Sequence, residues 1–63
     1  MKIELVEKSG YGPNCYLVKH EHWGEIVRWL YQNDIEYWQV SSSYMGIGFQ
    51  IKSNIDWFNL KWL

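Results

Sequence analysis

The sequence predicts a small α+β fold: an antiparallel sheet of three or four strands packed on one amphipathic helix, in the order β-(β)-α-β-β-α with a short C-terminal helix. Three observations carry that expectation. Trp23, Ile26, Val27 and Leu30 recur at i, i+3, i+4 and i+7, the stripe of a helix with one buried face. Ile47, Phe49 and Ile51 alternate with Gly48, Gln50 and Lys52, the two-residue period of a half-buried strand. Between the periodic segments lie clusters of turn formers, above all Ser9 to Asn14.

In chain order, Lys2 to Glu7 places Ile3 and Leu5 on one face of a first strand. Ser9-Gly10-Tyr11-Gly12-Pro13-Asn14 must be a loop, since its glycines can take positive φ and Pro13 fixes its own. Cys15 to Lys19 is short, β-branched and aromatic, and reads either as a second strand pairing back on the first or as an extended lead-in to the helix. The helix is expected over Glu21 to Asn33, with Glu21, Glu25 and Arg28 on its solvent side. Gly24 in mid-helix costs about 1 kcal/mol relative to Ala, which points to close backbone packing or a frayed first turn. Asn33-Asp34 ends the helix, because Asn tolerates the left-handed conformation just past a helix terminus.

Ile35 to Ser43 reads as a strand, Tyr44-Met45-Gly46 as a hairpin turn, and Ile47 to Lys52 as the returning strand, with Gly48 marking a bulge or a close backbone approach. Asn54 to Leu63 carries two patterns at once. Phe58, Leu60 and Trp62 alternate like a strand, while Ser53 or Asn54 ahead of Ile55-Asp56 resembles a helix cap with an acid in the first turn, and we favour the helix.

A chain of 63 residues holds one domain, here residues 1–63, because a fold this short buries only about 60% of the surface of its unfolded chain. With 48% hydrophobic and 19% aromatic residues, large rings can fill such a core, and disorder is not expected. The lone Cys15 has no internal disulfide partner and fits a reducing compartment. Met1 to Lys8 lacks the apolar stretch of a signal peptide and no later run approaches a membrane span, so a complete cytoplasmic protein is expected. Six basic against seven acidic residues leave no field that would hold a phosphate backbone, which weighs against general nucleic-acid binding.

Candidate chemistry is sparse. His20, His22 and Cys15 are the only cluster with metal-ligand side chains, but histidines one residue apart on a helix point about 200° apart and no second motif completes a tetrahedral set. A Cys15–His20 or Cys15–His22 nucleophile pair would need a third, orienting group. The carboxylates fall on solvated faces or at helix starts, and Gly10-Tyr11-Gly12 follows no phosphate-binding pattern. No catalytic residue, metal or cofactor is assigned, and the chain is read as non-catalytic.

The informative excess is aromatic. One helix face and one sheet face accommodate Trp23, Tyr37 or Trp38, Phe49 and Phe58, which leaves Trp29, Tyr31, Tyr44, Trp57 and Trp62 competing for limited space. Trp, Tyr and Arg dominate binding energies at interfaces, so these five rings with Arg28 and His22 form the candidate partner-binding set, centred on Trp29. The same rings could equally serve as the volume a small core needs. Five Trp in so short a chain also predict a homodimer, since small domains gain burial by pairing. Two other function classes stay open: single-stranded nucleic-acid binding, with Tyr and Trp stacking on bases near Lys2, Lys19, Arg28, Lys52 and Lys61, and a small metal-binding or Cys/His enzyme.

The segment Gly48-Phe49-Gln50-Ile51-Lys52-Ser53-Asn54-Ile55-Asp56-Trp57-Phe58-Asn59-Leu60-Lys61-Trp62 resembles an ending found in small proteins of tailed bacteriophages. There a Phe-containing strand precedes an Asp, and a Phe-x-Leu-Lys-Trp-like segment closes the chain. The likeness covers roughly the last quarter of the sequence, and Asn59 stands where a Lys is usual. It implies a strand–helix ending and a phage source, and with them a module that binds and redirects a host protein of the transcription, restriction or CRISPR machinery, acting in the host cytoplasm.

Overall fold

A computed structural model describes residues 3–63, so Lys2, placed above in the first strand, lies outside the described residues. The elements are β1 (Val6–Glu7), a single 3-10 turn (Ser9–Tyr11), β2 (Cys15–Val18), α1 (His20–Gln32), β3 (Tyr37–Ser43), β4 (Gly46–Ile51) and α2 (Ile55–Trp62). The fold is α+β, as the sequence predicts. Four strands form one antiparallel sheet in the spatial order β1-β2-β4-β3, and both helices pack on the same side of it.

The first strand is shorter than expected, and its partner is the reason. Val6 pairs with Leu17 and Glu7 with Tyr16, so continuing that register would set Ile3 opposite His20, where α1 has already begun. Ile3 nevertheless buries its side chain and Leu5 packs on the core, so the apolar face of this segment is real while its ladder is brief. Cys15–Val18 is a true strand and lies inside the sheet, paired on both sides.

α1 starts one residue ahead of the expected Glu21 and has no side-chain cap at Lys19. Its end is better defined. Asp34, rather than Asn33, takes the left-handed conformation at φ 54°, and the amides of Asp34 and Ile35 donate to the carbonyls of Tyr31 (3.3 Å) and Leu30 (3.0 Å). That pair of bonds closes a Schellman motif, sealed by the buried side chains of Ile35 and Leu30. Gly24 faces open space, so close backbone packing does not account for it.

β3 and β4 form the expected hairpin, closed by Tyr44–Met45 with Ser43 opposite Gly46. The irregularity lies on β3, where the register shifts between Gln39 and Ser41 and leaves Val40 as the extra residue. Gly48 is its counterpart: a side chain there would strike the Ser41 hydroxyl and come within 3.1 Å of the Tyr11 ring. The loop therefore lies across the outer face of the sheet, where it also covers Cys15.

The core sits between the sheet and the helices. Phe49 at its centre is surrounded by Trp23, Phe58 and Tyr16 at ring-centroid distances of 5.1, 5.9 and 6.1 Å, and Val18, Ile26, Leu30, Ile35 and Ile51 complete it. Tyr37 packs edge-on against Trp23 at 5.7 Å and 82°, which leaves Trp38 on the opposite, outer face.

Candidate functional site

α2 decides which rings are free. Phe58 and Trp62, four residues apart, enter the core, and Ile55 packs beside them. Trp57 and Leu60 then fall on the other side of the same helix, 53% and 79% exposed. An eight-residue helix that is apolar on both sides has one side left without a partner. Between it and α1 runs an apolar groove of about 230 Å³ lined by Trp29, Trp57, Leu60 and Lys61.

Trp57 is held in place despite its exposure. Its indole N–H donates to Asn33 Oδ1 at 3.1 Å, and Asn33 Nδ2 donates in turn to the Trp29 carbonyl at 2.9 Å. A ring fixed in this way loses little further entropy when something covers it. Lys61, on the rim, places its ammonium 5.2 Å from the Trp62 ring centroid.

Two members of the candidate set contribute to the core, Trp62 wholly and Trp29 in part, while Trp29 also lines the groove. Trp62 is buried, and Trp29 packs edge-on against Phe58 (6.2 Å, 66°) and Trp62 (5.8 Å, 85°). Helical spacing alone puts Trp29 beside the buried stripe of α1. The second helix supplies an apolar neighbour that widens that stripe, so Trp29 serves core packing as well as lining the groove. Among the described residues, the Trp62 Nε1 is the one buried side-chain polar atom without a hydrogen-bond partner.

The remaining candidates do not form one patch. Tyr44 is 95% exposed at the hairpin tip, which adjoins the start of α1 because His20 Nε2 contacts the Ser43 carbonyl. Trp57 is tied through Asn33 to the end of α1, and thirteen helical residues span about 20 Å. Arg28 is exposed on α1, Tyr31 is 83% exposed, and His22 is half-buried with its Nε2 3.8 Å from Glu21 Oε1. Leu60 is the exposed apolar residue of α2 that sequence reasoning left out of the candidate set. Its signal was the i, i+3 spacing from Trp57, visible once the tail is read as a helix whose Phe58 and Trp62 point inward.

Cys15 opens β2 and His20 lies just past the strand's other end, separated by at least about 10 Å at 3.3 Å per strand residue, and the Cys15 thiol donates to the Pro13 carbonyl at 3.6 Å. Among the described residues, no three His, Cys, Asp or Glu side chains are grouped closely enough to hold a metal ion. No described helix is long and apolar enough to cross a membrane. Trp38, on the outer face of the sheet, is 64% exposed with the Lys52 ammonium 4.9 Å from its ring centroid.

No protein-family model matches this sequence, and no curated protein or solved structure matches it either.

Proposed function

We propose that the chain is a small non-catalytic protein-interaction module, with its contact surfaces on the outward side of α2 and at the Tyr44–Met45 hairpin tip. The observation that carries this reading is the two-sided apolar character of α2, whose outer residues Trp57 and Leu60 no core contact requires. Large exposed apolar patches on small domains are costly to solubility and are characteristic of binding surfaces. Tyr44 and Met45 at the hairpin tip offer a second exposed apolar pair, about one helix length away. The C-terminal likeness to small tailed-phage proteins supports the finer form of the proposal, a phage-encoded modulator that binds a host protein in the host cytoplasm and acts as a homodimer.

Affinity capture from a bacterial host lysate tests it, comparing the parent with Leu60→Asp and with Tyr44→Ala/Met45→Ala. All these positions are exposed, so the variants should melt within a few degrees of the parent, as ordinary surface substitutions do. At least one variant is expected to lose a protein that the parent retains. If both retain the parent's full set, neither surface is a binding site and the proposal falls.

A second reading, base stacking on single-stranded nucleic acid, has its specific support in Trp38 with Lys52 over its ring. Salt-dependent binding of a labelled oligonucleotide that Trp38→Ala abolishes would favour it over the first.

A further inference from the structure

β3 lies at the edge of the sheet, and its ladder with β4 shows which of its backbone groups are left over. The Lys52 amide donates to the Glu36 carbonyl at 2.8 Å, so these two residues form a hydrogen-bonded pair, and in the same register Trp38 and Gln50 form the next. The N–H and C=O groups of Tyr37 and Gln39 therefore point away from β4, to the side where the described residues place no further strand. The open stretch is framed at both ends. The Glu36 amide is engaged by the Ser53 hydroxyl at 3.0 Å, and the register shift at Val40 interrupts the ladder beyond Gln39. At its centre stands the Trp38 ring, 64% exposed on the outer face of the sheet. From Tyr37 to Ser43 the strand carries no charged residue and no proline, the usual devices that keep an edge unpaired. The bulge guards the far half of the edge and leaves Tyr37 to Gln39 open.

We propose that this stretch is a dimerisation edge, where β3 of a second copy pairs antiparallel across a two-fold axis at Trp38 and joins the two sheets into one. This rests on the homodimer part of the reading above and places it on a surface separate from α2 and the hairpin tip. A row of backbone donors and acceptors is satisfied along its length only by another extended backbone. Tyr37 and Gln39 straddle Trp38, so with Trp38 opposite Trp38 each of them exchanges both its bonds with the other residue of the partner, about four hydrogen bonds in all. The side chains name the second copy as the source of that backbone. Trp38 takes the non-hydrogen-bonded position, where opposite side chains come closest on one face, so the ring exposed in one chain is covered by the same ring of the other.

Charge agrees with this register. Glu36 falls opposite Val40 of the partner, so the two carboxylates do not meet across the strands. Lys52, whose ammonium is 4.9 Å from the Trp38 ring centroid, comes from β4 on the side away from the partner and can keep that contact. The opposite edge of the sheet, β1, is two residues long, so pairing β3 with β1 of another copy would give a shorter ladder and would not close. So brief a joint buries well under the roughly 800 Å² per partner of a stable interface. The dimer is therefore expected to be reversible, with a dissociation constant on the order of 100 µM.

Sedimentation velocity on the full chain, from about 5 µM to 1 mM, reads the association directly. The parent is expected to pass from monomer to dimer across that range. Gln39→Pro removes an N–H that the ladder to β4 does not use, so it should keep the parent's circular dichroism spectrum while weakening the dimer at least about tenfold. The axis is tested by charge. Trp38→Lys and Trp38→Glu each set like charges against each other and should each associate less tightly than the parent, whereas an equimolar mixture of the two should form a heterodimer more tightly than either forms with itself. These variants alter only an exposed side chain, so they answer the question even if Gln39→Pro proves unfolded. Amide hydrogen exchange gives a readout without substitution: the Tyr37 and Gln39 amides should slow as concentration rises, and the Ser42 amide, beyond the bulge, should not.

A parent that stays monomeric at the highest concentration, a dimer indifferent to Gln39→Pro in its folded form, or a mixture of the charge variants no tighter than its components would each overturn the pairing. A dimer that ignores changes at both 38 and 39 would sink this inference and leave the homodimer standing on another surface. A monomer whose capture of a host protein still depends on Leu60 or the hairpin tip would sink it and leave the interaction-module reading intact.

Discussion

Gly46 and Gly48 stand two residues apart on β4 and are glycine for different reasons. Gly46 has φ 142°, a conformation that side chains strongly disfavour, and a Cβ there would run into the Val18 backbone carbonyl. Gly48 has an ordinary backbone, and what a Cβ meets is the Ser41 hydroxyl and the Tyr11 ring, both parts of side chains that can move. Gly46→Ala is accordingly expected to cost about 2 kcal/mol or more in urea unfolding, because neither obstacle can yield. Gly48→Ala should cost less, and its cost should drop by at least about 0.5 kcal/mol in a Ser41→Ala background, the signature of two sites in direct contact. An unchanged cost in that background would show that the bulge at Val40, rather than the Ser41 side chain, demands the glycine.

At the scale of the element, α1 is a helix held by its surroundings more than by its own sequence. It lacks a side-chain cap, carries Gly24 in its second turn, and has no basic residue in its last turn to complement the helix dipole. What it has is Ile26 and Leu30 in the core, Trp23 and Trp29 packed against it, and the Schellman closure at Asp34 and Ile35. Since nothing approaches Gly24, alanine there should gain the helix propensity without a steric cost. Gly24→Ala is expected to stabilise the protein by about 0.5–1 kcal/mol, read as a rise in melting temperature. A fall instead would reveal that another chain approaches the backbone at that point.

For the whole molecule, Tyr16 links the sheet to both the core and α2. Its ring lies 5.4 Å from Phe58, and its hydroxyl donates to Asn59 Oδ1 at 3.3 Å. Burial raises the phenol above its ordinary value of 10.0, and the Glu7 carboxylate and the Cys15 sulfur push in the same direction. The folded state therefore holds this proton more tightly than the unfolded chain does. Below pH 10 both states keep it and the full stability is present; as pH rises toward the raised folded value, the unfolded chain ionises first and stability falls. Urea midpoints measured from about pH 8 to 11.5 should decline above pH 10, and Tyr16→Phe should show a shallower decline than the parent. Parallel curves for the two proteins would mean that Tyr16 keeps its ordinary ionisation in the fold.

Local periodicity determined what local chemistry can determine. The stripe from Trp23 to Leu30 placed α1 to within a residue at either end, the alternation from Ile47 to Ile51 placed β4, and turn formers placed the loop and the hairpin. Each of these signals is complete within a few residues of chain. The spatial order β1-β2-β4-β3 was not available in that way, because it depends on pairings such as Tyr16 with Phe49, far apart in sequence. Nor was the fate of Trp29 and Trp62. A helical wheel shows which way a side chain points and nothing of what stands there, and only the docking of α2 beside α1 turned those two rings into core and left Leu60 in their place at the surface. The sequence by itself determined the elements and the excess of aromatic rings; the tertiary structure decided which rings are spent on the core, because burial is a property of neighbours brought together from distant parts of the chain.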